Sequence, residues 1–409
     1  VPTRSVAPTS RHAASRECFA AYDNALAEAG MLSRPVGLLD LGDFDANASD
    51  LAHRAAPKPI RVASKSLRIR AAVQRALNHP GYSGVLAFSL YEAIWLAESG
   101  ITDVVVGYPC TDPVALRALA ASETALEQVT LMVDDTAQLD AIDAAAPNHP
   151  PIQVAVELDA AYRPVRGVAL GAARSPLRTA AEVVSLGSAI IRRPNLRLTG
   201  MMAYEGQIAG VPNASRGPRG MLVRAIQRAS ARDIRERRAQ SVAALGALAD
   251  LRFVNGGGTG SLESTAAEPA ITEVAAGSGL MGPGLFDGYR GFRPHPALHF
   301  GLQVVRRPGP DTVTVHGGGW IASGPAGSDR LPAISWPTGL RFRGAEGPGE
   351  VQTPLIGAAA AGLGLGDTVY FRHAKAGELA EHLNEVAVYS SGRVIDCWAT
   401  YRGEGKAFL

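Results

Sequence analysis

Eight short apolar runs, each closed by a polar or glycine-bearing turn and followed by an Ala/Leu-rich stretch, constrain what this chain can fold into more than any other feature. They are IRVAS (60–64), GVLAFS (84–89), DVVVGY (103–108), TLMVDD (130–135), IQVAVELD (152–159), LTGMMAYEG (198–206), LRFVNGGG (251–258) and ITEVAAGSG (271–279). Buried runs of this length alternating with amphipathic stretches such as SLYEAIWLAESG and DPVALRALAASETALEQ are the pattern of βα units with parallel strands. Eight consecutive units predict an α/β fold, a (β/α)8 TIM-like barrel. A doubly wound open sheet is the alternative, but its glycine-rich turn follows the first strand, and there this chain has SKSLR.

After residue 285 the pattern changes to alternation with Gly/Pro turns, as in HFGLQVVRRPGPDTVTVHGGGW and EVAVYSSGRVIDCWATYRG, which predicts a smaller antiparallel β domain. We place the barrel at 43–285 and the β domain at 286–409 together with 1–42. PVGLLDL (35–41) is expected to lend that domain a strand, and RECFAAYDNALAEA to form an N-terminal helix. The chain is 46% hydrophobic and 19% charged, with a net charge of +2, so no pull toward nucleic acid or anionic membrane is indicated. The longest mildly apolar run, TPLIGAAAAGLGLG, is too short and glycine-rich to span a bilayer, and the N-terminus lacks the apolar stretch of a secretory signal. Cys18, Cys110 and Cys397 are odd in number and far apart, so a disulfide framework or a zinc knuckle is disfavoured and a cytoplasmic location is expected. Arg224, Arg228 and Arg232 recur at i, i+4 and read as a solvated helix face rather than a phosphate strip.

Only four of the 40 basic residues are lysine: Lys58, Lys65, Lys375 and Lys406. Chemistry in a parallel barrel gathers at the C-terminal ends of the strands, and Lys65 closes the first one. A lysine in a barrel mouth loses hydration, which lowers its pKa and suits it to imine formation. The seventh and eighth runs end in NGGGTGS and AGSG, where glycines let the backbone approach an anion, and barrels commonly hold phosphate after these two strands. A lysine facing a phosphate cradle matches a phosphorylated aldehyde, pyridoxal 5′-phosphate. Aldolase barrels that use lysine on a sugar phosphate satisfy the same two facts, but the lysine on strand one and the trailing β domain favour the cofactor.

PIRVASKSLR, VELDAAYRPVRG, MMAYEGQIAG, RFVNGGGTGS, EVAAGSGLMGPGLFDGY and FRHAKAGE together resemble the fold-type III pyridoxal-phosphate enzymes, with their alanine racemase-like N-terminal barrel. Within them the chain is most similar to the D-threonine aldolase and D-serine dehydratase branch, in the group labelled amino acid deaminase/aldolase. The resemblance covers the chain from about residue 34. It implies that Lys65 is the Schiff-base lysine and that Arg163 faces the pyridine nitrogen, with Arg166 in reserve. It implies Tyr204 beside the cofactor, Gln207 where aldolases often carry histidine, and Tyr289 in the aromatic position after strand eight. Gly257, Gly258, Thr259, Gly260, Gly277 and Ser278 correspond to the phosphate cradle.

Relatives in this branch bind a divalent metal through a histidine and an acidic or cysteine residue two positions later. Here His373 stands first and Lys375 second, and a cation does not ligate a cation. We therefore doubt the metal at His373 and expect the Lys375 ammonium to occupy its role, with His373 as acid/base and Glu378 orienting one of them. His295 and His299 are expected to be structural, since Pro296 interrupts any helix between them. His316, in VHGGGW, could reach the site from the β domain or a second subunit. Asp134 and Asp159 are expected to be hydrogen-bond acceptors, and Glu92 to start the helix after strand two. The resemblance implies a homodimeric lyase that cleaves a β-hydroxy D-amino acid to glycine and an aldehyde. Dehydration of D-serine or D-threonine is the second reading, racemisation the third, and cofactor binding without strong turnover the non-enzymatic one.

Overall fold

The computed structural model describes residues 15–325, 327–344 and 346–409. Strand β1 (Val36–Asp40) belongs to the C-terminal domain. The next eight strands close into a parallel barrel: β2 (Ile60–Ala63), β3 (Tyr82–Ala87), β4 (Val104–Val106), β5 (Val129–Val133), β6 (Ile152–Glu157), β7 (Leu196–Ala203), β8 (Phe253–Gly256) and β9 (Glu273–Ala276). Each arises from one of the eight runs, and β2 pairs with β9 through Ile60 and Val274 to close the ring. An open sheet is thereby excluded.

The sequence starts the covering helices with side-chain caps. Ser89 accepts the Glu92 N–H at the head of Leu90–Glu98, and Glu92 in turn accepts the Phe88 N–H at 2.7 Å. Asp135 with Gln138, and Thr179 with Glu182, form capping boxes on Thr136–Ala145 and Ala180–Ile191. Inside the barrel, Val105, Met132, Ala155, Met202 and Phe253 form an apolar plug. Gly200 makes room for the Phe253 ring, which would lie 2.6 Å from any Cβ there. Beside it Arg61 is buried but fully paired, donating to Glu273 at 2.6 and 2.8 Å and to Asp103 at 2.9 Å, while Asn255 also donates to Glu273. The plug fills the barrel and leaves its C-terminal mouth open.

The second domain comprises β10 (Leu298–Gly309), β11 (Thr312–His316), β12 (Ala333–Trp336), β13 (Arg341–Phe342), β14 (Gln352–Ile356), β15 (Thr368–Arg372), β16 (Glu385–Ser390) and β17 (Arg393–Ala399). The sheet runs β13-β14-β11-β10-β1-β16-β17, with β15 pairing β10 and β12. It is not wholly antiparallel: β1 lies antiparallel to β10 but parallel to β16. β1 enters from the N-terminal side of the barrel, so no hairpin dictates its direction, and Gly37 leaves the space that Leu383 and Val386 fill. The helix Arg16–Glu28 packs Phe19, Tyr22 and Leu26 on this sheet beside Leu38 and Tyr370.

The junction of the domains bears directly on the mouth. Gly284 and Leu285 donate to the carbonyls of His373 and Ala374, each at 3.0 Å, and Arg372 donates to the carbonyls of Gly282 and Pro283. The chain that follows β15 is thus seated against the barrel. On the long helix Gly217–Gly246, Arg228 and Arg232 are exposed and Arg224 donates to the carbonyls of Asn213 and Ser215, as a solvated face requires. The cysteines are unpaired, and no helix among the described residues is long and apolar enough to cross a membrane.

Candidate active site

Strand alternation sends every second side chain into the barrel, and the last inward residue of each strand meets the mouth. Ala63, Leu86, Glu157, Met202, Asn255 and Ala275 form the floor of a cavity of about 550 Å³. That volume suits a small cofactor with its substrate. Lys65, in the turn Ser64–Ser66, stands open to the cavity and donates to the Tyr108 hydroxyl at 3.3 Å. The Arg174 guanidinium lies 5.7 Å from the centre of the same Tyr108 ring.

Beside the turn that bears Lys65, the two glycine loops form one wall. A Cβ at Gly258 would lie 2.9 Å from that of Ala209 and 3.3 Å from the Tyr204 ring, and one at Gly277 would strike the Ala63 carbonyl oxygen. Only glycine allows this close approach of loop to barrel. The loops are tied together by Thr259, whose hydroxyl meets that of Ser278 at 3.2 Å and accepts the Gly279 N–H at 3.1 Å. Gly257 and Gly258 direct their N–H groups to Glu205 and Ser261, while Thr259, Gly277 and Ser278 line the cavity.

Behind this wall lies a network the sequence reading did not single out. Arg238 is fully buried and bridges Glu205 at 2.9 Å and Glu268 at 2.5 Å, and it also donates to the Ala203 carbonyl. Glu205 then accepts from Gly257 N–H and from the hydroxyls of Ser261 and Thr265. A buried carboxylate accepting this many donors holds the glycine loop rigid.

Several expected residues sit elsewhere. Arg163 is on the surface, paired with Asp159 at 3.0 Å, and Arg166 is exposed; the arginine on the cavity wall is Arg174. Gln207 is buried behind the wall, donating to the Ala160 carbonyl and the Ser230 hydroxyl at 2.7 Å each. Tyr289 donates to the Ala209 carbonyl and packs against Gly260, so both brace the loop from outside the cavity. Tyr204, Gly257, Gly258, Thr259, Gly277 and Ser278 line the cavity. Tyr108, Glu157, Asn255 and Met202 were missed, although each ends or follows a strand and inward alternation from Ala155 points to Glu157.

Glu157 is pushed up to about 7, first by burial and then by the Asp134 carboxylate, with Arg174 opposing. A carboxyl raised from 4.5 to about 7 binds more protons folded than unfolded, so its contribution to stability falls as pH rises through that window. We expect Glu157→Gln to be more stable than the parent by ~1–3 kcal/mol at pH 8 and equal to it at pH 4, read by denaturation at both values. Asp134 and Asp159 are acceptors, as expected: Asp134 binds Gln138, and Asp159 binds Arg163 and Arg178.

A further wall comes from the β domain: Ser323, Arg330, Lys375 and Glu378. Lys375 Nζ donates to the Ser323 carbonyl and hydroxyl at 3.2 and 3.1 Å, and burial lowers its pKa. Glu378 accepts the Ser323 N–H at 2.9 Å, while its second oxygen has no partner. Gly377, at φ +98°, abuts the Lys65 carbonyl oxygen so closely that no Cβ fits, which locks this segment onto the strand end that bears Lys65.

His373 does not reach this wall. It is buried in a small adjoining void with Phe300, Trp320, Lys375 and Glu378, both ring nitrogens lack a hydrogen-bond partner, and burial with the neighbouring Arg372 pushes it down to about 3. His373 is not among the residues that line the main cavity. His299 is buried against Phe19, and His295 faces Asp43, so neither forms a metal pair. His316 is exposed at the end of β11, off the cavity. The donors do not fit a divalent metal: His373 does not line the cavity, a lysine stands two positions later, and no group of three or more His, Cys, Asp or Glu among the described residues is placed to hold one.

A closed barrel whose first strand presents a lysine to a glycine cradle after its last two strands, with a sheet domain closing the mouth, is the architecture of the fold-type III pyridoxal-phosphate enzymes. The family described as alanine racemase, N-terminal domain, matches residues 39–283, and the chain belongs to it. It is 30% identical over 239 residues to a 3-hydroxy-D-aspartate aldolase from Paracoccus denitrificans, covering 58% of this chain and 55% of that protein. It is 27% identical to a D-threonine aldolase from Arthrobacter sp, covering 75% of this chain and 76% of the relative. The chain thus spans little more than half the length of the first of these. Among solved structures, D-threonine aldolase from Filomicrobium marinum superposes with a TM-score of 0.75 at 22% identity, covering 91% of this chain and 96% of that one. D-threo-3-hydroxyaspartate dehydratase from Delftia sp. HT23 gives 0.69 at 20%, covering 90% and 97%.

Proposed function

We propose that this protein is a pyridoxal-phosphate-dependent lyase that cleaves the Cα–Cβ bond of a β-hydroxy D-amino acid, giving glycine and an aldehyde. The observation that carries the proposal is one cavity shared by Lys65, the two glycine loops and Arg174, which lies over the Tyr108 ring. Lys65 Nζ would hold the cofactor's aldehyde carbon, the hydroxyls of Thr259 and Ser278 its phosphate, and Tyr108 and Tyr204 its ring. When bound, the cofactor supplies a sink for the electron pair left at Cα. Arg174 is the residue for the pyridine nitrogen; an arginine there donates a hydrogen bond without giving up its proton, so positioned groups around the substrate carry more of the rate. The aldolase names of the two curated relatives support the reaction class.

The position of Arg174 gives a paired expectation. Arg174→Met should lower kcat by about tenfold to a hundredfold and shift the cofactor's visible band, whereas Arg163→Met should leave both within about twofold, by steady-state assay and absorbance. The reaction itself is tested by supplying the pyridoxal-phosphate-loaded protein with the D and L forms of threonine and 3-hydroxyaspartate and assaying glycine. Glycine from the D forms supports the proposal. Glycine from L forms alone, or no turnover of any, overturns it.

A further inference from the structure

We propose that Lys375 and Glu378 together handle the substrate's β-hydroxyl without a divalent metal, Lys375 as the cation that binds its oxygen and Glu378 as the acceptor of its proton. This rests on the lyase reading above. The cation is fixed in place: Ser323 receives Nζ through both its carbonyl and its hydroxyl, and Lys375 lines the cavity with Lys65. The base is fixed by the same residue, since Ser323 N–H holds one oxygen of Glu378 and leaves the other, Oε2, buried without a partner. A buried carboxylate oxygen without a donor is costly, and a substrate hydroxyl would satisfy it. Both residues ride on the segment that Gly377 docks against the Lys65 carbonyl, so hydroxyl recognition and amine capture are held at one spacing. His373, unlike Lys375 and Glu378, does not line the cavity that holds Lys65.

The proton inventory closes. Glu378 Oε2 takes the β-hydroxyl proton, the O–H electron pair becomes the new C=O π bond, and the Cα–Cβ pair stays on the glycine fragment. That fragment is protonated at Cα from the Lys65 ammonium, and the proton on Glu378 returns to Lys65 or to solvent. Lys375 keeps its charge throughout and stabilises the developing alkoxide.

The test compares D-threonine with D-2-aminobutanoate, which lacks only the hydroxyl, by titrating the visible band of the pyridoxal-phosphate-loaded protein, alongside metal analysis and turnover after chelation. The parent should prefer D-threonine by about tenfold or more, carry no stoichiometric divalent metal and keep its activity in EDTA. Lys375→Met should lose the preference while binding D-2-aminobutanoate as before, and Lys375→Arg should keep part of it. Glu378→Gln should keep the preference and lose about a hundredfold in kcat. Activity abolished by EDTA and restored by Mn²⁺, or an unchanged preference in Lys375→Met, overturns the proposal. The titration needs no turnover, so a parent that prefers D-threonine yet releases no aldehyde contradicts the lyase reading and not the binding role of Lys375.

Discussion

Replacing Lys65 by alanine is expected to abolish the visible absorbance of the cofactor-loaded protein and to lower turnover by about 10³-fold or more. Two of the four lysines stand on the cavity wall, Lys65 and Lys375, and they are held differently. Lys375 is engaged by two oxygens of Ser323, whereas Lys65 reaches one phenol, that of Tyr108, in the cavity it shares with the glycine loops. Lys65→Arg keeps a cation there but offers no amine for an imine, so it should behave like the alanine variant. A retained band in Lys65→Ala that disappears in Lys375→Met would transfer the aldehyde-holding role to Lys375 and reverse the orientation argued for the whole site.

Removing Arg238 should produce the largest structural effect. Arg238→Met leaves Glu205 and Glu268 buried without their cation, at a cost of about 3–5 kcal/mol, and should lower the thermal midpoint by about 3–6 °C. Glu205 anchors Gly257, Ser261 and Thr265, so the cofactor should also dissociate more readily from the variant at a temperature where it remains folded. Arg232→Ala, on an exposed turn of the same helix, should leave the midpoint unchanged within about 1 °C. Scanning calorimetry and equilibrium dialysis of cofactor from the two variants separate these outcomes. Equal midpoints would mean that the buried triad is not what holds the cradle.

How far the sequence could be read follows from where its periodicity stops. Each barrel strand is a local run with a stop signal, and Lys65, Tyr204 and both glycine loops lie within two or three residues of such a stop, so position along the strand fixes their direction. Arg174 lies in the long connection between β6 and the helix Ala180–Ile191, where no period applies. There Tyr162 and Leu170 pair backbone to backbone and fold the chain back, which returns Arg174 to the mouth while Asp159 captures Arg163 at the rim. His373 follows the alternation of β15, which places it on the same face as Phe371 and hence beside Phe300 in the β-domain interior. Lys375 lies beyond the strand, in a turn whose path is set by Gly377 meeting Lys65, a contact between residues more than 300 apart that no local pattern encodes. Arg238 and Glu205 were hidden for the same reason: a buried ion pair between a helix and a strand end looks, in sequence, like one more arginine on a basic helix and one more acid in a loop.

The central claim is that the cavity breaks carbon–carbon bonds in β-hydroxy D-amino acids. Its most direct measurement is the product balance from D-threonine with the cofactor-loaded protein, following glycine, acetaldehyde, 2-oxobutanoate and ammonia in one reaction. Glycine and acetaldehyde formed in equal amounts, with no 2-oxobutanoate, is the result this account predicts. Ammonia and 2-oxobutanoate in equal amounts would instead make the protein a dehydratase and contradict it.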